Sequence, residues 1–213
     1  MIKVLVLILI LFTVIVAGYY FLNKPTPIEE DFSSIDTIQD PVQSSLWSNE
    51  PIIITKKNLQ LKLTPQATYK IGAIVLSKKK YSSDWSSHIS PYDLALGWGE
   101  VSRQENLDHI KFKQVLRWYR YRYDAQCPIS QDYISKHSSN HHIIPANSNI
   151  AKAVKSIRKK DIVELEGKLV NVKGKYKGKP VNWNTSTTRN DTGNGSCEIL
   201  YVTKIKIGNH IYR

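Results

Sequence analysis

Asp161-Ile-Val-Glu-Leu-Glu-Gly-Lys-Leu-Val-Asn-Val172 decides the fold of this chain. Val163, Leu165 and Leu169 alternate with Glu164, Glu166 and Lys168, which is the period of a strand with one wet face. Gly167 interrupts the alternation at its middle and marks a bend. A basic hairpin turn, Lys173 to Pro180, follows. The chain returns through Val181 to Ser186, past Trp183, and after a Thr/Asn/Gly-rich loop runs out as Cys197 to Ile207. Long bent strands of this kind suggest an OB-like, partly closed barrel with short helices. Periodicity alone supports the coarser statement, a mainly β (α+β) domain.

Upstream, Ile150, Val154 and Ile157 fall at helical spacing, with Asn147 or Ser148 as N-cap and Lys155 to Lys160 at the cation-favouring end. Earlier still, Ile52 to Ile54, Leu59 to Leu63 and Tyr69 to Leu76 read as strands, and Gly72 points to a bulge or a close backbone approach. Ser90-Pro91 reads as the start of a short helix ended by Gly97 and Gly99, and residues 104–115 as another. Arg117 to Tyr123 alternates as a strand, with Trp118, Arg120 and Arg122 on one face and Arg117 and three tyrosines on the other.

The first 23 residues set the address. Val4 to Leu22 reads VLVLILILFTVIVAGYYFL, without charge or proline, and its 19 residues suit a bilayer-crossing helix. Lys3 before the span and Glu29, Glu30 and Asp31 after it place the N-terminus inside and the body outside the cytoplasm. With so little before the span, no cytoplasmic domain is expected. The rival reading is a cleaved signal peptide with Val16-Ala17-Gly18 as the cleavage site. The apolar stretch continues past Gly18, which favours an uncleaved signal-anchor over residues 1–23. Residues 24–50, with Pro25, Pro27, Pro41 and few large apolar side chains, read as a flexible tether. Residues 51–213 read as a single β-rich domain.

All 18 acidic residues and nearly all the basic ones follow Asn23, and the chain carries a net charge of +12. That surplus suits an anionic partner: lipid head groups, an envelope polymer or nucleic acid. Cys127 and Cys197, an even pair in an exported domain, are expected to form a disulfide.

Three stretches offer chemistry. His137-Ser138-Ser139-Asn140-His141-His142 holds half of the six histidines. His137 or His142 is a candidate general base beside Ser138, with Asn140 in support, or a metal ligand. The spacing matches no metal motif, so no metal and no cofactor is expected, and the plainer reading is a hydrogen-bonded loop. Arg189 and Asp191, in the Gly-rich loop before Cys197, are candidates to hold an anion or assist catalysis. Asp93 and Trp98, in Asp93-Leu-Ala-Leu-Gly-Trp-Gly99, are binding candidates, as are Arg120 and Arg122 on the Arg/Tyr strand. No nucleophile elbow, dinucleotide fingerprint or calcium loop is present.

SPYDLALGWG, HSSNHHIIPAN, DIVELEGKLV and STTRNDTGNGSCEILYV together resemble a family of uncharacterised bacterial membrane proteins with one N-terminal span and an exported domain. The resemblance covers Tyr69 to Ile205. It singles out Asp93, Gly97, Trp98 and Gly99, then His137, Ser138, Asn140 and His142, then Arg189, Asp191, Thr192, Gly193, Cys197 and Glu198. His141 departs from that pattern. The resemblance implies the bacterial inner membrane, with the domain outside the cytoplasm, and lends no activity. The first expectation is an interaction or assembly module contacting an envelope protein or anionic envelope polymer. An envelope hydrolase using the His137/His142 stretch is the second. Nucleic-acid binding during DNA uptake or transfer ranks third.

Overall fold

The structure is a computed structural model that describes residues 2–29, 33–188 and 197–213. Helix α1 (Ile2–Asn23) has its apolar side chains from Val4 to Leu22 exposed, and over Lys3–Asn23 it is long and apolar enough to span a bilayer, with a mean hydropathy of 2.7. The rest is a mainly β body. Its elements are β1 (Val42–Ser44), β2 (Ile52–Lys56), β3 (Leu59–Lys80), β4 (Tyr92–Gly97), α2 (Gln104–Leu107), β5 (Ile110–Val115), β6 (Trp118–Tyr123), α3 (Gln131–Lys136), β7 (Ser138–Pro145), α4 (Ser148–Ser156), β8 (Ile162–Tyr176), β9 (Lys179–Trp183), β10 (Glu198–Ile207) and β11 (His210–Tyr212).

The pairings close on themselves. β3 bonds β4, β4 bonds β7, β7 bonds β10, β10 bonds β8, and β8 returns to β3. All are antiparallel except the parallel β7–β10 pair. A parallel pair needs a crossover, and α4 with β8 supplies it. One side of the cycle encloses a core of Tyr69, Ile71, Leu94, Leu96, Ile143, Leu165, Leu169 and Leu200, with α4 adding Ile150 and Val154. Asn147 caps α4 by accepting from Ile150 N–H at 2.9 Å, as its sequence promised. At the other end Lys78 Nζ lies 2.8 Å from the carbonyls of Val154, Lys155 and Ile157, closing the orphan acceptors of the last turn.

Bends fall at glycines. A β-carbon on Gly167 would lie 2.0 Å from Tyr201 O, where the β8–β10 register shifts between Val202 and Lys204. The backbone of β10 therefore approaches as only glycine permits. Gly72 serves the N-terminal segment in the same way: a β-carbon there would meet Asp36 O at 2.0 Å. The described residues of the 24–50 stretch, read as a tether, lie against the body at several points. Ile28 bridges Ile211, Thr26 N–H donates to Asn149, Gly99 N–H donates to Thr37 O, and β1 adds to the edge of β3.

Four stretches differ from their sequence reading. Within Ser90 to Gly99, Tyr92–Gly97 is a central strand, not a helix, because Asp93 to Gly97 is bonded on both sides and buried. Residues 104–115 divide into the short α2 and the strand β5. The histidine stretch is no loop: from Ser138 on it is strand β7, all but the last residue of which is buried, with Ser138, Asn140 and His141 hydrogen-bonded to neighbouring elements. Leu59 to Lys80 is one strand with a register shift at Pro65/Ala67.

The Gly167 contact generates a direct test. Gly167→Ala lowers unfolding stability by about 1–3 kcal/mol, the cost of forcing a methyl into packed backbone, in urea titration of the detergent-solubilised chain followed by tryptophan fluorescence. A loss below about 0.5 kcal/mol, the scatter of ordinary surface changes, would remove this account of the bend.

Candidate functional site

The outward face of β4 and β7 carries Asp93 and His142 as a cross-strand pair. Asp93 is 0% exposed, and an unpaired carboxylate there would be very costly. Its partner arrives from the tip of the β5–β6 hairpin. Leu116 and Arg117 form the two-residue loop between Val115 and Trp118, both with positive φ, 50° and 68°. That is the backbone a right-handed twisted hairpin wants, here without the usual glycine or asparagine. The Arg117 side chain turns back over the sheet. Nη1 donates to Asp93 Oδ1 at 2.7 Å and to Ser90 O at 3.0 Å. Nε and Nη2 form a fork on Asp84 at 2.9 and 2.8 Å. The guanidinium also lies 4.1 Å from the centre of the Tyr81 ring.

Burial opposes the Arg117 charge, but Asp84 and Asp93 outweigh it and hold the guanidinium above its ordinary range. Burial likewise pushes the Asp84 carboxyl up; the hydrogen bonds and charge of Arg117, with Ser86 and Ser87 donating as well, bring it below its ordinary value. His142 Nδ1 sits 3.0 Å from Asp93 Oδ1 but off the hydrogen-bonding direction. Asn140, two residues back on the same face, ties the hairpin down. It accepts from Gln114 Nε2 at 2.6 Å and donates to Arg117 O at 2.9 Å. Tyr119 Oη donates to Ser138 O at 2.8 Å, and burial pushes its phenol up to about 12, so it stays a donor at any physiological pH.

This docking sorts the hairpin's side chains. Phe112, Gln114, Tyr119 and Tyr121 turn toward the body. The other face is exposed and carries Lys111 directly opposite Arg122 and Lys113 directly opposite Arg120, with Val115 opposite Trp118 at its end. Like charges placed opposite each other destabilise a strand pair. None of these four cations has an acidic partner among the described residues. A cavity of about 740 Å³ opens along this hairpin between Lys111 and Arg122.

At the seam between the hairpin tip and β9 lies a second cavity of about 380 Å³, over His142 and beside Trp183. Trp183 is held edge-on by Trp85 at 5.9 Å between ring centres and tilted against His142 at 4.4 Å.

The residues singled out by sequence separate into two places. His142, Ser138, Asn140 and Asp93 share the hairpin-covered face with Arg120 and Arg122 just beyond. His137 lies elsewhere: it stacks on Tyr133 at 3.8 Å, and its Nδ1 lies 3.0 Å from Tyr133 O and its Nε2 3.7 Å from Asp40 Oδ1. His142 stands five positions beyond His137, about 17 Å along an extended strand, so one metal cannot take both. Among the described residues no three His, Cys, Asp or Glu side chains gather as a metal site. Trp98 is 0% exposed and donates to Asp40 Oδ1 at 2.9 Å, so it packs the core and offers no platform. Arg189 and Asp191, with Thr192 and Gly193, lie outside the described residues.

Cys127 and Cys197 form no disulfide. Cys127 packs beyond the far end of β6 with Ile129 and Tyr133, whereas Cys197 lies at the tip end, 3.9 Å from Asn140 Nδ2. The six residues of β6 lie between them, about 20 Å of strand against the roughly 7 Å that a disulfide spans between α-carbons.

Arg117 itself, Asp84, Lys111, Lys113 and Trp183 carried no sequence signal as site residues. Val115-Leu-Arg-Trp118 lacks turn residues, so the hairpin that brings Lys111 and Lys113 opposite Arg122 and Arg120 was hidden. Compared with protein-family models, curated proteins and solved structures, the chain matches none.

Removing one partner of a buried pair costs about 3–5 kcal/mol. Arg117→Met will therefore destabilise the chain on that scale in urea titration, and Asp93→Asn added to it will recover part of the loss. A fully additive double variant would disprove the pairing. Because Asp84 is held below its ordinary 3.8, its contribution is complete above that pH and disappears as pH falls through the lowered folded value. Arg117→Met abolishes this acid-side slope.

Proposed function

We propose that the protein is a single-pass membrane-anchored module that binds an anionic polymer of the bacterial envelope through the exposed cationic face of its β5–β6 hairpin. The observation that carries this reading is the pair of directly opposed like charges, Lys111 with Arg122 and Lys113 with Arg120, exposed and without acidic partners among the described residues. Such an arrangement costs stability in the free protein and is relieved by a string of negative charges. Pairs repeat about every 7 Å along a strand, a spacing that suits a linear polyanion better than the compact acidic patch of a folded partner.

The anchor reading rests on α1, and the charge bias around it supports a domain outside the cytoplasm, on the outer side of the bacterial inner membrane. The resemblance to single-span bacterial membrane proteins supports the same address. The cycle of five pairings, with α4 between β7 and β8, supports an OB-like barrel. In such barrels the face around the second and third strands holds oligosaccharides and oligonucleotides. Here β4 and β7 occupy those positions, and the hairpin covers most of that face and presents its own outer face instead.

The nucleic-acid reading loses its main sequence support. Tyr119 and Tyr121 of the Arg/Tyr strand face the body, leaving Trp118 as the ring at the end of the cationic face. A row of stacking platforms for successive bases is not what this face offers. The hydrolase reading loses its shared site, since His137 and His142 stand apart.

Arg120→Ser/Arg122→Ser in the full chain, held in nanodiscs of zwitterionic lipid, removes one cation from each pair. Binding of polyphosphate or polygalacturonate to wild type is expected to weaken steeply between 50 and 200 mM salt, as screening dictates (Debye lengths of roughly 14 and 7 Å). In the variant, affinity falls about tenfold or more, which is the scale of 1.4 kcal/mol, and the salt dependence flattens. Relief of repulsion raises stability by about 0.2–1 kcal/mol per pair. Absence of polyanion binding by wild type, at either salt, would end this reading.

A further inference from the structure

We infer that the cavity between Trp118 and Trp183 is a sugar-binding subsite, and that the polymer bound by the hairpin is therefore an acidic polysaccharide. The inference rests on the polyanion reading above and names the chemistry of that polymer.

The cavity of about 380 Å³ falls within the roughly 300–1,000 Å³ of small-molecule sites. Aromatic rings stand on two sides of it. Trp183 is fixed by Trp85 and His142 and so needs little ordering on binding. Trp118 is 37% exposed, free to lie against a ligand ring. The apolar faces of a pyranose pack on such indoles, while its hydroxyls need groups that both donate and accept. Asn182 and Asn184 supply them: both line the cavity, both are exposed, and neither amide has a hydrogen-bond partner among the described residues. An amide offers two donors and an acceptor with two lone pairs.

Charge argues for a sugar ring rather than a phosphate at this spot. Among the described residues Arg117 is the only cation lining the cavity, and it already spends its donors on Asp84, Asp93 and Ser90 O. The unpaired cations begin one pair further along. Trp118 shares the exposed hairpin face with Lys113 and Arg120, then Lys111 and Arg122. A polymer lying along that track meets a sugar pocket first and two cation pairs next, over about 14 Å of strand. A glycan whose units carry carboxylates or phosphates satisfies both halves.

The test compares full-length wild type, Asn182→Ala/Asn184→Ala and Arg120→Ser/Arg122→Ser in zwitterionic nanodiscs. The probes are polygalacturonate, polyphosphate and single-stranded oligodeoxythymidylate, at matched charge and salt, with melting no lower than wild type required of both variants. The expected result is that wild type prefers polygalacturonate to polyphosphate about tenfold, that the asparagine variant loses this preference without changing polyphosphate binding, and that the arginine variant weakens both. Equal binding of both polymers, unaffected by the asparagine variant, would overturn the subsite while the polyanion reading stands. Failure of wild type to bind either polymer would overturn both. Tightest binding of the oligonucleotide, lost in the asparagine variant, would overturn the sugar assignment in favour of a nucleobase pocket.

Discussion

The buried carboxylate of Asp93 constrains the rest of the site. It stands on a central strand with 0% exposure, bonded neighbours on both sides and a histidine across from it. A charge in that position must be matched, and the matching guanidinium comes from the hairpin tip. Meeting it obliges Leu116 and Arg117 to adopt positive φ, a conformation that costs non-glycine residues about 1–2 kcal/mol each. The ion pair, the fork on Asp84 and the Asn140 contacts hold the turn against that cost. Once the tip is pinned, the hairpin's faces are assigned, and the cations that oppose each other look outward.

The closed cycle of pairings makes this possible. Because β3 bonds both β4 and β8, and β10 bonds both β7 and β8, the core strands leave no free edge within the cycle for the hairpin to join. β5 and β6 instead form a separate two-stranded sheet, attached by side chains: Gln114 on Asn140, Tyr119 on Ser138, and Ile110 and Phe112 against Ile74 and Leu76. A two-stranded hairpin is marginal by itself, so its stability is borrowed from that apolar patch and from Arg117. Binding at the exposed face and stability of the body thus meet at one residue.

Polar residues on β7 show how burial misleads a reader of sequence. Ser138, Asn140 and His142 read as a hydrogen-bonded loop because they are hydrophilic and lie between prolines. They are hydrophilic for another reason: an inserted hairpin brings Tyr119, Gln114 and Arg117 to them, and each group needs a partner. The Asp93 stretch misled in the same way, since Pro91 and the glycines suggested a capped helix where a fully buried strand runs. Cysteine arithmetic failed because parity says nothing of distance, and β6 lies between Cys127 and Cys197.

Local pattern by itself determined a good deal. The uncharged run Val4 to Leu22 determined a helix long and apolar enough to span a bilayer, because length and composition are local properties. Alternation and a central glycine determined β8 and its bend, and Asn147 with Ile150, Val154 and Ile157 determined α4, because caps and periods are properties of neighbouring residues. Arg120 and Arg122 were legible as an exposed face for the same reason. What stands opposite them was not, because Lys111 and Lys113 become their partners only through a turn without turn residues. The buried Asp93–Arg117 pair and the Trp118–Trp183 cavity likewise join residues from distant parts of the chain. Their existence depends on which strands pair and which faces are covered, and only the folded arrangement decides that.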